Sequence, residues 1–421
     1  MVDQSNANKH SNPLYLEIAD RIANGICRDA LWDHDRCNWL GWEMESMQRK
    51  MTPVYRAAAA NLYNGTSGIA LFLAELYRLT NDRQQLRTIE GAVNQALSVH
   101  QKVPANLQQS FFSGTCGIAF AMIRIGELLQ REGLIDRGMS MLLSLRELPL
   151  DMKNIDVIGG CAGAIPALLW LAQKYQRAEL TDFAVAHGQH LTRLAELSEH
   201  GCSWVTIPSP VKANLTGYAH GTAGMACALL ELHHVTDDPA FLQVAESALQ
   251  YERQWFYPAE SNWEDLRQMG QESRRCSMGW CHGAPGIGLS RLRMLELQPH
   301  HSQHRVELDA AIASTAQALT QTWTPGAANY SLCHGAAGNA ELMIIAAQRL
   351  QRPDLRVIAD KVGQDGYEYY VRQGLPWPCG NSGAGETPNL MLGKAGIGHF
   401  YLRLYDTVQV PSILLVSPDC A

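Results

Sequence analysis

The sequence predicts an all-α protein, an α/α toroid in which seven inner helices are surrounded by seven outer helices. Three features predict it: a Gly-x-x-Gly motif that occurs seven times, long apolar stretches after the motifs, and amphipathic stretches between them. The first glycines are 46 to 62 residues apart, a spacing typical of repeated structural units. The motif pairs are Gly65/Gly68, Gly114/Gly117, Gly160/Gly163, Gly221/Gly224, Gly283/Gly286, Gly335/Gly338 and Gly393/Gly396.

The stretches that follow the motifs are rich in Ala, Leu, Ile and Met and are too long for strands. Examples are residues 69–79, 118–129, 165–173 and 225–234. Because they are apolar nearly all round, they are typical of buried helices. Glycine at their starts would let helices that converge on a common axis approach closely.

The intervening stretches have one apolar face. They include residues 83–100, 180–197, 239–255, 305–322 and 354–373. In the third of them, apolar residues fall at i, i+3, i+4, i+7 and i+8 from Phe241, which predicts a half-buried helix. Alternation of buried and half-buried helices favours a closed double ring. The alternative is an open solenoid, whose helices would be about equally exposed.

The repeats indicate a single domain. A chain of 421 residues is long enough for two or three domains, but no Pro/Ser-rich linker interrupts the repeats between Gly65 and Gly396. We predict a toroid over residues 56–421. Residues 1–55 are predicted to be a helical extension packed on the toroid, with an amphipathic helix over 14–32 and a loop-like stretch containing Trp39 and Trp42 after Trp32.

Composition excludes several classes of partner. The net charge is −7 and the sequence pI about 6.1, and no basic cluster indicates nucleic acid or an anionic membrane surface. The N-terminus lacks the apolar region of a signal peptide, and no apolar run reaches the roughly 18 residues of a membrane span. We therefore expect a soluble cytoplasmic protein without a transmembrane segment. Eleven cysteines, an odd number, favour reduced thiols, some of them on a metal, over a disulfide framework.

The repeat predicts a metal site at the starts of the inner helices. Cys281 and Cys333 each lie two residues before the first glycine of their motif, and His334 lies one residue before it. Equivalent offsets place such residues at one level of the ring. Two thiolates and an imidazole suit zinc, and three protein ligands leave the fourth position open, as in catalytic sites.

Three more residues near the motifs are candidates for chemistry. His220 has the same offset as His334 and is either a general acid/base or a histidine satisfied at a helix start. His282, beside Cys281, could be a fourth ligand, an acid/base or a residue lining the pore. Asp156 is the only carboxylate within four residues before a motif. It either orients a histidine or caps a helix.

Other functions find less support. A glycosidase would need two carboxylates across the scissile bond, whereas Asp156 alone is near the predicted mouth. No Walker loop is present and no strand is predicted before the glycines, which disfavours a nucleotide-binding fold. Cysteines without supporting context are interpreted as small buried hydrophobic residues: Cys27, Cys116, Cys161 and Cys227.

Three motifs resemble those of the lanthionine cyclase family, the LanC-like proteins. They are W-C-H-G-A-P-G-I-G around Cys281, L-C-H-G-A-A-G around Cys333 and His334, and A-H-G-T-A-G around His220. The resemblance covers roughly residues 60 to 405. The opening L-Y-N-G-T-S-G-I-A-L-F-L-A-E-L and the tail P-S-I-L-L look most like the cyclase half of class II lanthipeptide synthetases.

The resemblance implies a fold, a cofactor and a reaction. It implies an α/α toroid with zinc held by Cys281, Cys333 and His334, an acid/base histidine at His220 and a supporting aspartate at Asp156. The implied reaction adds a Cys thiol to dehydroalanine or dehydrobutyrine in the same ribosomal peptide, giving lanthionine or methyllanthionine. The implied partners are a dehydrated precursor peptide and, since no dehydratase half is present in this sequence, a separate dehydratase. The alternative is that this chain is an excised domain of a longer protein.

One departure from the family pattern concerns an arginine. Relatives often have an arginine a few residues before the first zinc cysteine. Here Ser277 lies four residues before Cys281, and the nearest arginines are Arg274 and Arg275.

Two alternative functions use the same residues differently. In one, the chain adds glutathione or another free thiol to dehydrated residues in proteins. In the other, it is a non-catalytic toroid, stabilised by zinc, that binds peptides or partner enzymes as a scaffold.

Overall fold

The computed structural model describes residues 12–47, 50–151, 153–207, 213–268 and 276–417, which form fourteen α-helices and four antiparallel β-hairpins. The helices are α1 (Pro13–Arg28), α2 (Thr66–Thr80), α3 (Arg83–Val99), α4 (Thr115–Leu129), α5 (Glu132–Leu145), α6 (Ala164–Tyr175), α7 (Ala178–Leu194), α8 (Thr222–Thr236), α9 (Pro239–Arg253), α10 (Ala284–Leu297), α11 (Ser302–Gln317), α12 (Ala336–Arg349), α13 (Pro353–Gly366) and α14 (Lys394–Tyr405). The strands pair as β1 (Leu31–Asp33) with β2 (Arg36–Asn38), β3 (Leu40–Met47) with β4 (Lys50–Ala57), β5 (Glu196–Ser198) with β6 (Gly201–Ser203), and β7 (Phe256–Tyr257) with β8 (Asn262–Trp263).

Seven inner helices form a closed ring. They are α2, α4, α6, α8, α10, α12 and α14, and each begins within a Gly-x-x-Gly motif or directly after it. Each packs against the next, and α14 packs against α2. This closure confirms the predicted toroid and rules out the open solenoid.

Seven outer helices surround that ring. The first six are α3, α5, α7, α9, α11 and α13, and each packs against the inner helix that precedes it in the chain. The last inner helix, α14, is covered instead by α1 from the N-terminal region. Helix α1 therefore supplies the seventh outer helix. The domain boundary at residue 55 stays a prediction.

The region after α1 differs from the prediction. The helix ends at Arg28 and does not continue to residue 32. The loop-like stretch is two hairpins, in which Trp32 lies in β1 and Trp42 in β3. Trp39, between the hairpins, is buried and donates its Nε1–H to the carbonyl of Ile26 at 2.8 Å. This hydrogen bond fastens the hairpins to α1.

Backbone hydrogen bonds join the seven motif loops into a circle. In each loop the carbonyl two residues before the first glycine accepts an amide from a neighbouring loop, at 2.9 to 3.2 Å. The accepting residues are Tyr63, Phe112, Ile158, Ala219, Cys281, Cys333 and Met391. Met391 donates to Tyr63 and so closes the circle. The shared offset is therefore a physical level of the ring.

The second glycine of every motif is required by its own loop. A Cβ there would lie 1.6 to 2.1 Å from the carbonyl oxygen of the residue six positions earlier, which no side chain tolerates. Contacts with neighbouring repeats are longer, such as 2.8 Å from Gly286 to the Cβ of Tyr218. Convergence of neighbouring helices, the reason expected from the sequence, therefore excludes a side chain less strongly than the carbonyl within the same loop does.

Gly117→Ala is expected to destabilise the protein, because the new Cβ would lie 1.6 Å from the Phe111 carbonyl oxygen. Overpacking of this kind costs about 1–3 kcal/mol or more. Gly133→Ala in α5 is the control, since nothing lies within 4 Å of a Cβ there. Thermal unfolding followed by circular dichroism should show a lower Tm for the first variant alone. Equal Tm values would contradict the close contact.

The chain after α14 fills the inside of the ring. Residues 411–413, 416 and 417 line a small cavity together with residues of α2, α4, α6 and α14. The carbonyl of Leu414 accepts a hydrogen bond from Nε1 of Trp280, next to Cys281, at 2.9 Å. Protein therefore occupies the interior beneath the motif loops. In the parts of the chain that are described, no helix has both the length and the apolarity needed to cross a membrane.

Candidate metal centre

The structure brings Cys281, Cys333 and His334 together. They come from the loops before α10 and α12, which are joined by a hydrogen bond from the Cys281 amide to the Cys333 carbonyl at 3.2 Å. Their two sulfurs and one imidazole nitrogen all lie within 4.8 Å of one another. Among the described residues, this is the one group of three His, Cys, Asp or Glu side chains spaced to hold a metal ion. All ten cysteines in the described ranges are free thiols.

The donor set fits zinc. With Zn–S bonds of about 2.3 Å, two sulfurs of a tetrahedral site lie about 3.8 Å apart. The two sulfurs of the observed cluster lie within 4.8 Å of each other, close to that spacing. Two thiolates and an imidazole bind zinc in preference to magnesium or calcium, which favour oxygen ligands.

The pKa values of the Cys281 and Cys333 thiols shift in opposite directions. The hydrogen bond from the Cys333 thiol, aided by His334, holds the pKa of Cys281 well below its usual range, although burial opposes this. The same bond, together with burial and the charge of Cys281, raises the pKa of Cys333 well above its usual range. Both shifts act in the same sense and favour the thiolate on Cys281 and the thiol on Cys333, and a thiolate attracts a cation.

His220 lies at the start of α8 and is held by Asp156. Its Nδ1 is 2.6 Å from Oδ2 of Asp156. The other carboxylate oxygen accepts the backbone N–H of Gly159 at 2.6 Å. Asp156 therefore fixes the orientation of the imidazole and leaves Nε2 as the nitrogen available to a bound molecule.

The surroundings of His220 favour its protonated form. Burial disfavours the imidazolium, but the hydrogen bond and charge of Asp156 outweigh burial, and the charge of Cys281 adds to them. The net effect raises the pKa of His220 above its ordinary value. The group can therefore act as an acid near neutral pH.

His282 is close to the centre but lies outside the metal cluster. Its ring stacks on that of His220, with centroids 5.5 Å apart and an interplanar angle of 28°. Burial lowers the pKa of His282 to about 4, although the charge of Cys281 opposes the shift. Its Nε2 is buried without a hydrogen-bond partner in the described ranges. His282 is therefore a neutral imidazole beside His220.

Sequence reasoning missed Arg267, which lies in a short helical turn, Leu266–Gln268. Its Nε and Nη2 donate to the two oxygens of Asp265 at 2.9 and 2.7 Å. The Ser277 hydroxyl also donates to that carboxylate. These bonds outweigh burial and hold the pKa of Asp265 at about 2. The ionised carboxylate of Asp265 therefore holds the positively charged guanidinium of Arg267 in a defined position.

The charge of Arg267 reaches the candidate centre. It acts on both Cys281 and Cys333, and it opposes protonation of His220 and His282. No repeat offset marks this residue in the sequence, because it precedes the motif loop of Cys281. Arg274 and Arg275, the arginines considered from the sequence, lie outside the described residues.

Tyr63 is a second residue that sequence reasoning missed. Its hydroxyl hydrogen-bonds the sulfur of Cys333, which favours the thiolate of that cysteine. The signal was present in the sequence, since Tyr63 lies two residues before Gly65, the offset shared by Cys281 and Cys333.

Comparisons with known proteins agree with this architecture. Residues 57–415 match the family described as lanthionine synthetase C-like protein. Glutathione S-transferase LANCL1 of Danio rerio is 24% identical over 298 residues, covering 66% of this chain and 67% of that protein. The lacticin 481/lactococcin biosynthesis protein LcnDR2 of Lactococcus lactis subsp. lactis is 20% identical over 383 residues, covering 88% of this chain but only 38% of that protein.

Among solved structures, nisin cyclase has the same fold. It superposes with a TM-score of 0.66 at 18% identity, and the alignment covers 97% of this chain and 98% of that one. The family match spans most of the chain and includes every motif loop. The chain therefore belongs to the lanthionine synthetase C-like family.

Proposed function

We propose that this chain is a zinc-dependent cyclase that adds a peptide cysteine thiol to dehydroalanine or dehydrobutyrine in the same peptide, forming lanthionine or methyllanthionine rings. The observation that carries the proposal is the meeting of a three-donor cluster with the His220–Asp156 pair at one mouth of the toroid. Membership of the family and the fold shared with nisin cyclase support it.

The cluster accounts for activation of the thiol. Cys281, Cys333 and His334 would hold zinc, which supplies an open fourth position for the peptide sulfur and favours its thiolate near neutral pH. The hydrogen bond from Tyr63 would stabilise the thiolate form of Cys333. The shape of the mouth would hold thiol and alkene together, which reduces the entropic cost of the reaction.

His220 and Asp156 account for the proton. The sulfur bonds to the β-carbon, and the electron pair of the alkene moves onto the α-carbon and its carbonyl as an enolate. His220 then delivers a proton from Nε2 to the α-carbon while Asp156 holds its Nδ1–H. The proton lost by the next substrate thiol restores the imidazolium, so protons balance over one turnover.

Arg267 accounts for the negative charge of the enolate. A cation fixed near the reacting atoms stabilises charge that develops on a carbonyl oxygen. The Asp265 carboxylate accepts two hydrogen bonds from the guanidinium and one from the Ser277 hydroxyl, which hold Arg267 in place. Relatives often have an arginine a few residues before the first zinc cysteine, whereas Ser277 lies four residues before Cys281. Because the charge of Arg267 acts on both cysteines, we assign the cationic role to Arg267 in this chain.

The substrate in this proposal is a dehydrated precursor peptide, and the dehydration belongs to a separate catalytic unit. We further propose that the protein acts in the cytoplasm. A second candidate function, addition of glutathione to dehydrated residues, is supported by the resemblance to the zebrafish protein named a glutathione S-transferase. Both reactions would use the same thiol and proton chemistry.

A synthetic peptide with one dehydroalanine and one cysteine separates these functions. Ring closure leaves the mass unchanged but removes the thiol that an alkylating reagent would label, as mass spectrometry can show. The control peptide, with serine in place of cysteine, should react only if glutathione is added, and then gain the mass of one glutathione. A free thiol and no adduct after incubation would contradict both reactions and favour the scaffold.

A further inference from the structure

A groove leads away from the candidate metal centre. Its first part has a volume of about 560 Å³ and begins at His334. Its second part, of about 660 Å³, lies between α1 and the chain after α13. The two parts share Pro376, Trp377 and Glu386 as a common wall. Each is of the size that holds a small ligand, and the shared residues place the two parts side by side.

The part of the groove next to His334 is lined mostly by uncharged residues, and its wall is held in place by packing and a hydrogen bond. Trp377 is buried, and its ring lies 4.9 Å from that of Tyr370. Its amide donates to Oε1 of Glu386 at 2.9 Å. Ala327, Ala328 and Pro378 also line this part. Such a wall suits the backbone and small side chains of an extended peptide.

The second part carries excess positive charge. Its charged side chains are three cations, Arg21, Arg28 and Lys394, and one carboxylate, Glu386. Lys394 approaches Glu386 at 3.4 Å and Asp29 at 3.5 Å, and Arg28 also pairs with Asp29. Arg21 is exposed and has no ion-pair partner in the described part of the chain, so its charge is available to a bound molecule.

We infer that this groove binds the part of the peptide substrate outside the ring being closed, and that its α1 end receives a carboxylate-rich segment of that peptide. The inference rests on the proposed function. A peptide whose thiol lies at the metal must leave the mouth by some path, and the groove starts at His334. An excess of this size is too small for nucleic acid, whose binding involves about six to ten phosphate contacts. It suits a short carboxylate-bearing segment, for which Arg21 offers a cation without an ion-pair partner in the described ranges.

Binding can be tested with fluorescein-labelled versions of the dehydroalanine–cysteine peptide. They are extended at either end by eight residues, alternating Glu and Gly in one set and Ser and Gly in the other. At low salt the Glu tail should bind about three- to tenfold more tightly, the modest gain expected when a few exposed ion pairs form. Fluorescence anisotropy gives the Kd, and added salt should reduce the difference.

Arg21→Glu is the diagnostic variant, and Arg137→Glu the control, because Arg137 is an exposed arginine in the middle of α5. Only the first should remove the preference for the Glu tail. In ring closure it should raise KM without changing kcat, because it touches no reacting group. Circular dichroism checks that both variants are folded.

The two readouts separate two failures. Equal Kd values for both tails in the wild type, or equal losses in both variants, would overturn the groove inference even if rings close. Discrimination in binding without ring closure or loss of the thiol would overturn the proposed function, while acidic peptide binding at α1 would stand.

Discussion

Cys333→Ala is expected to lose nearly all bound zinc and ring-closing activity while the helical fold survives. The substitution removes one of only three donors, and two donors hold zinc far more weakly than three. The wild type should contain about one zinc per chain, because the described residues contain one suitable cluster. The fold should persist, since seven helix pairs form the core without the metal. Elemental analysis and circular dichroism measure the two outcomes.

Cys116→Ala is the matched control for this experiment. Cys116 is buried in α4 and lies outside the metal cluster, so its loss should leave zinc and ring closure intact. Full zinc content in Cys333→Ala would refute the ligand assignment. Collapse of the helical signal in Cys333→Ala alone would instead make the metal structural.

His220→Ala should keep its zinc but close rings about a hundred- to ten-thousand-fold more slowly, the usual contribution of a general acid or base. His220 is not one of the three clustered donors, so metal binding does not depend on it. His282→Ala, made in parallel, tests the stacked neighbour and should slow the reaction far less. Loss of zinc in His220→Ala would make His220 a ligand. A wild-type rate would show that another group supplies the proton.

The pH dependence tests the same assignment. An acid with a raised pKa is protonated below that pKa, so ring closure should decline only as pH rises through it. Because Asp156 raises the pKa of His220, Asp156→Asn should move this decline to lower pH. Single-turnover rates across a pH series measure the shift. A decline at the same pH in both proteins would contradict the role of Asp156.

The sequence alone determined the seven-fold repeat, the helical class and the ring level that brings Cys281, Cys333 and His334 together. These features were readable because they are local. A Gly-x-x-Gly loop needs its second glycine to avoid a carbonyl within the same loop, so this glycine recurs in every repeat and marks equivalent positions around it. Tyr63 also lies two residues before the first glycine of its motif, as Cys281 and Cys333 do. The zinc and the roles of the site residues stay predictions.

Only the tertiary structure decided which distant segments complete the ring and the site. The pairing of α1 with α14, the contact of Asp156 with His220 and the place of Arg267 join segments that share no repeat offset. The first of these contacts depends on closure of the ring, which brings α1 beside α14, and the other two depend on the paths of the connecting loops. Helix periodicity reports which face of an element is buried, but not which partner buries it.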